Sequence, residues 1–382
     1  MKWKLQTMTL AAGIMLAAGA ASAQSTFKIG LIQPATGPAA YDGQSVINGA
    51  RLAATQINES GGVLGGRQIE ILLQDGKADP AESLNAAERL IDRDKVRALI
   101  GAWASSATLA VMPLTQRYGI PLVVETSTAE KITEAGNPWV FRTASNSKID
   151  ADVLGPHLVK DLGLKNVAFM AANNDFGRAV VSNWTRVLEP QGAKIVAAEY
   201  HKPGETNFSP TLTKIKNSSA DTIVITSDVT TVSNIIKQSY EMGLQGLKRI
   251  VTSGNPAEAI IPLVGKDAAE GMLVQNYWVP YAPAPGQEAA SKEFQQAYES
   301  RYKGRLADKY AVSGYDAVKL VAAAAEAAKS DEPEKIRDAL KAMRLEALQG
   351  IIAFDEQQQA RPFQSMSRIE DGKPIIILKA GQ

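Results

Sequence analysis

Residues 100–128 read IGAWASSATLAVMPLTQRYGIPLVVETST, and their pattern decides the fold. An apolar run from Arg97 to Ile100 ends at Gly101, and Ser105-Ser106 then open a segment of helical composition. A second apolar run, Pro121 to Val124, ends in Glu125 and the hydroxyl cluster Thr126-Ser127-Thr128. Strand, helix and strand in this order form the unit of a parallel sheet. Both polar clusters then fall at carboxyl ends of neighbouring strands, where open α/β sheets bind their ligands. Unpaired N–H groups and the positive end of the helix dipole favour a carboxylate or phosphate there. Pro113 lies within the helix and predicts a kink.

Working outward, the same alternation continues in both directions. Upstream, Phe27 to Gln33 reads as a buried strand and Pro34 to Pro38 as a loop. Val46, Ala50, Ala53, Ala54 and Ile57 recur at helical spacing up to Gly61-Gly62. A strand over Gln68 to Gln74 and a helix over Pro80 to Arg93 follow. Downstream, Trp139 to Thr143 is a short strand and Ser145 to Lys148 a crossing point. Strands at Asn166–Ala171, Lys194–Ala198, Asp221–Thr226 and Arg249–Thr252 then alternate with helices at Phe176–Leu188, Phe208–Ile215 and Thr230–Met242. After a strand at Met272–Trp278, the Pro-rich VPYAPAPG marks a second crossing. Helices at Gln287–Tyr302, Tyr310–Ala328 and Glu334–Met343 precede strands at Ile351–Phe354 and Lys373–Leu378. The expected architecture is α/β, two lobes with parallel sheets joined by several crossing strands, with a cleft between them. Lobe 1 comprises 24–145 with 281–350 returning to it, and lobe 2 comprises 146–280 with 351–382 returning to it.

A chain of 382 residues is long enough for two cores. Its 41 basic and 40 acidic residues nearly cancel, and no basic cluster is interleaved with aromatics, so no nucleic-acid partner is expected. Lys2, Lys4, an apolar run to Ala20 and Ala21-Ser22-Ala23 have the layout of a signal peptide over residues 1–23, cleaved before Gln24. The apolar core is too short for a membrane anchor. The sequence has no cysteine, which excludes a disulfide scaffold and thiolate chemistry. Its two histidines, His157 and His201, are read as surface or packing residues, so no metal site and no histidine-based catalysis are expected. No G-x-S-x-G, P-loop or H-E-x-x-H motif occurs, and GGVLGG precedes a strand instead of opening a helix. Neither a catalytic constellation nor a cofactor site is therefore expected.

The blocks IGLIQPATGPAAYDGQSVINGARLAATQINESGGVLGGRQIEILLQD and KADPAESLNAAERLIDRDKVRALIGAWASSAT resemble the opening of the leucine/isoleucine/valine-type periplasmic substrate-binding proteins of ABC transporters. The resemblance continues through FRTASNS, NNDFGRAV, HKPGETNFSPTLTKIK, KDAAEGM, YAVSGYDAVKLVAAAAEAA and GIIAFDEQQQ, with order and spacing kept. It implies a type I periplasmic binding protein fold: two Rossmann-like lobes, a three-strand hinge, and a small amino acid of branched-chain or aromatic type trapped by closure. It also implies a periplasmic location, an inner-membrane ABC permease as partner, and a monomer.

Carried onto this chain, the resemblance makes Ser105 and Thr128 side-chain ligands of a carboxylate, with Ala104 and Thr126 supplying main chain. Tyr41 and Tyr310 would wall the ligand's side-chain pocket, and Phe176 would cover it from the second lobe. Trp103 stands one residue before the site, where it would stack on a ligand or pack in the loop. The simpler roles are helix capping for Ser105 and a half-exposed loop position for Tyr41. The chain departs from its family where the leucine-binding members carry an acidic residue for the ligand ammonium, since Gly254-Asn255 stands there. Asp228 is the nearest substitute carboxylate, although a helix cap is its ordinary role. Without such a carboxylate, the ligand would be an aromatic or aliphatic acid lacking an α-amine. A ligand-sensing receptor or regulator domain is the alternative of another class.

Overall fold

The computed structural model describes residues 26–202, 204–252 and 255–380. The signal-peptide reading of residues 1–23, and Gly254, lie outside the described residues. The first sheet is built from β1 (Phe27–Gln33), β2 (Ile69–Asp75), β3 (Ala98–Ile100), β4 (Leu122–Val124) and β5 (Val140–Arg142). It is parallel throughout, in the order β2-β1-β3-β4-β5. Its connections carry α1 (Ala40–Glu59), α2 (Pro80–Glu88), α3 (Ser105–Tyr118) and α4 (Lys131–Glu134). The helix α3 runs as one element through Pro113.

Alternation along each strand explains why helices cover both faces. Phe27, Ile29 and Leu31 join one core with Ile100 and Val123, while Ile32, Leu99, Leu122 and Val124 point into another. Successive side chains of a strand face opposite ways, so an apolar run without polar interruption is buried on both sides.

The chain then enters α5 (Ser147–Lys160), β6 (Asn166–Ala172), α6 (Asp175–Leu188), β7 (Lys194–His201), α7 (Ser209–Lys216), β8 (Thr222–Thr226), α8 (Val229–Glu241) and β9 (Lys248–Val251). After α9 (Ala257–Val264) and α10 (Lys266–Ala269) it reaches β10 (Leu273–Asn276). Met170 and Ile225 face one core of this sheet, Phe169 and Val224 the other.

From β10 the chain returns to the first sheet with α11 (Glu288–Arg301), α12 (Lys309–Ala328), α13 (Pro333–Lys341) and the antiparallel pair β11 (Arg344–Ala347) and β12 (Gly350–Ala353). It ends in β13 (Gln364–Glu370) and β14 (Lys373–Ala380), which extend the second sheet to the order β14-β13-β10-β9-β8-β6-β7. These last two strands pair antiparallel, so the second sheet is mixed. The final return also comes later than position 351, because Ile352 and Ala360 pack in the core of the first sheet.

Three segments cross between the sheets, at 143–146, 277–287 and 354–363, and none is a regular strand. Side chains bind them together. The Tyr277 hydroxyl donates to Asp150 Oδ2 (2.6 Å), the Gln364 amide to Ser145 Oγ (3.1 Å), and the Gln275 amide to Gln364 Oε1 (3.3 Å).

Candidate functional site

The loop after β3 and the loop after β4 meet above the first sheet. Trp103, in the left-handed region at φ 63°, turns the chain into α3. Its carbonyl accepts the hydroxyls of Thr126 (3.2 Å) and Ser127 (2.9 Å). Ser127 Oγ also lies 2.7 Å from Thr108 Oγ1, which accepts the Ala102 N–H at 3.1 Å. Thr126 and Ser127 therefore fasten one loop to the other. Arg142, fully buried at the end of β5, holds the same loop from below through the carbonyl of Ala129 (2.6 Å) and the hydroxyl of Thr133 (3.0 Å). Burial lowers the pKa of its guanidinium to about 10, still high enough to keep the charge at neutral pH.

Two hydroxyls remain for a ligand. Ser105 does not cap α3, whose N-cap residue, Ala104, has no capping side chain. Instead Ser105 Oγ accepts the N–H groups of Thr128 (3.2 Å) and Ala129 (3.1 Å). With both lone pairs engaged, its own proton is left to donate. Thr128 is 3% exposed, and its Oγ1 has no hydrogen-bond partner. A buried hydroxyl without a partner is costly, so its position beside a cavity marks a place for an acceptor.

That cavity is about 40 Å³, room for roughly three waters, and is lined by the Trp103–Ser105 loop, Thr126–Thr128, Asn174, Phe176, Ser227, Lys309 and Tyr310. An adjoining cavity of about 100 Å³ shares Trp103, Ala104, Asn174, Phe176 and Ser227, and adds Asp228, His201 and Lys77. Asn174 caps α6 through Oδ1 to the Gly177 N–H (3.0 Å), which sets Phe176 at the cavity wall.

The structure thus brings Trp103, Ala104, Ser105, Thr126, Thr128, Phe176 and Tyr310 together. Three expected residues stand apart. Tyr41 lies on α1 with the Arg305 guanidinium 4.5 Å from its ring centroid, and does not line either cavity. Asn255 is buried, donating to the Ser227 carbonyl (2.8 Å) and accepting from the Tyr310 hydroxyl (3.4 Å), so it supports the wall from behind. Asp228 caps α8, with Oδ1 accepting the Thr231 N–H (2.9 Å) and Oδ2 its hydroxyl (2.8 Å), and reaches only the adjoining cavity.

The residue that sequence reasoning missed is Lys309. It is 6% exposed, lines the main cavity, and has its Nζ 4.0 Å from the Tyr310 ring centroid and 5.0 Å from that of Tyr277. Burial brings its pKa down to about 8, against the pull of Asp42, Asp150 and Asp308. A signal was present: Lys309 is the first residue of α12, where a cation opposes the helix dipole. His201, read as a packing residue, stacks edge-on against Phe208 at 5.5 Å, and burial lowers its pKa. Among the described residues no group of three or more His, Asp or Glu side chains is placed to hold a metal ion. No helix among them is long and apolar enough to cross a membrane.

The family model of periplasmic binding proteins matches residues 26–370. The leucine-, isoleucine-, valine-, threonine- and alanine-binding protein of Pseudomonas aeruginosa is 26% identical over 366 residues, covering 95% of each chain. Among solved structures, the branched-chain amino acid transporter substrate-binding protein of Streptococcus pneumoniae, in complex with isoleucine, superposes with a TM-score of 0.83 at 26% identity, covering 94% of this chain and 99% of that one. A solute-binding protein of an ABC transporter from Rhodopseudomonas palustris BisB5, in complex with 3,4-dihydroxybenzoic acid, gives a TM-score of 0.82 at 27% identity, covering 93% and 97%. These relatives are named as binding proteins, and the two solved structures share the fold of this chain over more than nine-tenths of its length. The chain belongs to the periplasmic binding protein family.

Proposed function

We propose that this protein is the periplasmic solute-binding component of an ABC importer, which captures a small organic acid between two lobes and hands it to an inner-membrane permease. The carrying observation is the unpartnered Thr128 hydroxyl beside Ser105 and the uncapped start of α3, in a cavity that no Asp or Glu side chain lines. These donors suit a carboxylate. The lobes are the units built on the two sheets, and the three crossings are the hinge. A cavity of about 40 Å³ is too small for such a solute as it stands, so entry requires the lobes or the wall side chains to move apart.

Within this class, an aromatic or aliphatic acid without an α-amine fits best, because an ammonium group in the cavity would meet Lys309 and no carboxylate. A branched-chain amino acid is the second reading, supported by the ligands named for the Pseudomonas and Streptococcus proteins and by Asp228 in the adjoining cavity.

Calorimetric titration with benzoate, 3,4-dihydroxybenzoate, 4-methyl-2-oxopentanoate, leucine and isoleucine tests the reading, on the wild type and on Asp228→Asn. Asn caps as well as Asp, so this variant removes the charge and keeps the helix start. At least one acid should bind more tightly than either amino acid, with an affinity the variant leaves unchanged. Tighter binding of leucine or isoleucine, lost in Asp228→Asn, would transfer the assignment to the second reading. Failure of every compound to bind would overturn the small-acid reading.

A further inference from the structure

The adjoining cavity, about 100 Å³, is lined on one side by Lys77 after β2 and Trp103 after β3, and on the other by His201 at the end of β7 and Ser227-Asp228 after β8. His201 is 5% exposed, and its buried Nε2 has no partner. Its Nδ1 lies 3.4 Å from the Lys202 carbonyl, which can only accept, so the ring proton sits on Nδ1. Burial lowers the pKa of the ring against the pull of Asp228 and Glu205, so at neutral pH it is uncharged and Nε2 is a bare acceptor. Asp228 accepts the Thr231 N–H on Oδ1, and the hydroxyls of Thr231 (2.8 Å) and Ser227 (3.2 Å) on Oδ2. A carboxylate has about four acceptor positions, so one on Oδ1 is open. Ser227 spends its proton on Asp228, and Lys77 Nζ is held by Glu82 Oε1 at 3.0 Å. This far wall therefore offers a negative charge and two acceptors, whereas the carboxylate clamp of the main cavity offers donors.

Resting on the organic-acid reading, we infer that the solute carries a cationic nitrogen remote from its carboxylate, as an ω-amino acid does, and that Asp228 and His201 select for it. The carboxylate docks on Ser105 and Thr128, and the ammonium group, with three donors, gives one hydrogen bond to His201 Nε2 and one to Asp228 Oδ1. A nitrogen on the carbon next to the carboxylate stays in the main cavity, which neither Asp228 nor His201 lines. A plain acid leaves the His201 lone pair buried and unpaired.

Positional isomers decide the matter. Hexanoate, 2-aminohexanoate and 6-aminohexanoate are compared by calorimetric titration, as are pentanoate with 5-aminopentanoate and benzoate with 4-(aminomethyl)benzoate. The proteins are the wild type, His201→Phe, Asp228→Asn and Asp228→Ser, with folding followed by circular dichroism. Phe keeps a ring against Phe208 and removes the acceptor, while Asn and Ser both keep the helix cap. In the wild type at least one ω-amino acid should bind about tenfold or more tightly than its parent acid, the effect of a hydrogen bond to a charged group. It should also bind more tightly than the 2-amino isomer. The ratio of ω-amino to parent acid should fall toward unity in either Asp228 variant and by about threefold or more in His201→Phe. A purely structural Asp228 or His201 would weaken both members alike, and a ratio left standing in its variant overturns its role. If no ω-amino acid outbinds its parent in the wild type, this inference is overturned without recourse to any variant, and the organic-acid reading is left intact. Tightest binding of 2-aminohexanoate overturns both. If none of these compounds binds, the organic-acid reading falls and this inference with it.

Discussion

Glu125 follows β4, directly before the Thr126–Thr128 stretch, and titrates in the neutral range. Burial pushes its carboxyl up to about 7, against the Gln33 amide that donates to Oε1 at 2.6 Å. Its partner is thus Gln33. A carboxyl raised in the folded state binds its proton more tightly there than in the unfolded chain. Stability therefore falls as pH rises from about 4.5 to about 7 and levels off above, with up to about 3 kcal/mol attached to this group. Glu125→Gln should flatten that fall, measured as chemical denaturation between pH 4.5 and 8. Asp316, also pushed up to about 7 by burial, retains its own share of the slope. Unchanged slopes in the variant would show that Glu125 titrates normally. At this scale the meeting of the two loops was legible in the sequence, because Ser105 and Thr128 follow apolar runs and strand ends gather in one place. Lys309 was not singled out, since a lysine at a helix start reads as solvated unless its tertiary neighbours are known, and those come from the crossing after β10, from α1 and from α5.

Helix α12 carries Lys309 and Tyr310 to the cavity, and its seating depends on α1. The two helices cross at Gly49 and Gly314. A Cβ on Gly49 would lie 1.8 Å from the Ala311 carbonyl oxygen, and one on Gly314 would lie 2.2 Å from that of Val46. Backbone cannot yield as a side-chain tip does. Gly49→Ala is therefore expected to destabilise by about 2–3 kcal/mol and to weaken ligand binding by displacing the start of α12, checked by thermal melting and calorimetry on the same sample. A variant with wild-type stability would mean the crossing is looser than described. The sequence announced both helices through their apolar periodicity, but their close approach was hidden, since a glycine within a helical pattern does not say which backbone it admits. Asp228 shows the same limit. As a capping residue its carboxylate is engaged at α8, and only the folded chain places it in the adjoining cavity and not the main one.

For the whole molecule, contacts away from the cavity join the units built on the two sheets. The Asn183 amide on α6 donates to Glu130, next to α4, which also accepts the Ser147 hydroxyl at 2.7 Å. Asp42 on α1 accepts the Val229 N–H at the start of α8 (3.4 Å), and burial raises the Asp42 carboxyl well above its usual range. If these contacts belong to the closed state alone, Asn183→Ala should lower ligand affinity about fivefold without touching the cavity, and small-angle scattering should show a larger radius with ligand absent. Affinity within twofold of wild type would assign the contact to both states. The alternation of strands and helices made two units readable from sequence. The turning point near the end was not readable, because β12 is as apolar as the strands of the second sheet, and only its packing in the folded chain, with Ile352 in the core of the first sheet, assigns it there.

The triple crossing also bears on how such a chain comes into being. The core under the first sheet takes in Leu320, Ile336, Ile352 and Ala360, and the cores of the second take in Met366 and Ile369. Synthesis proceeds from the amino end, so the first unit lacks part of its core until Ala360 has been made, and the second until Met366 and Ile369 have. Each core thus depends on residues far apart in the chain, so the two units complete their packing late and nearly together.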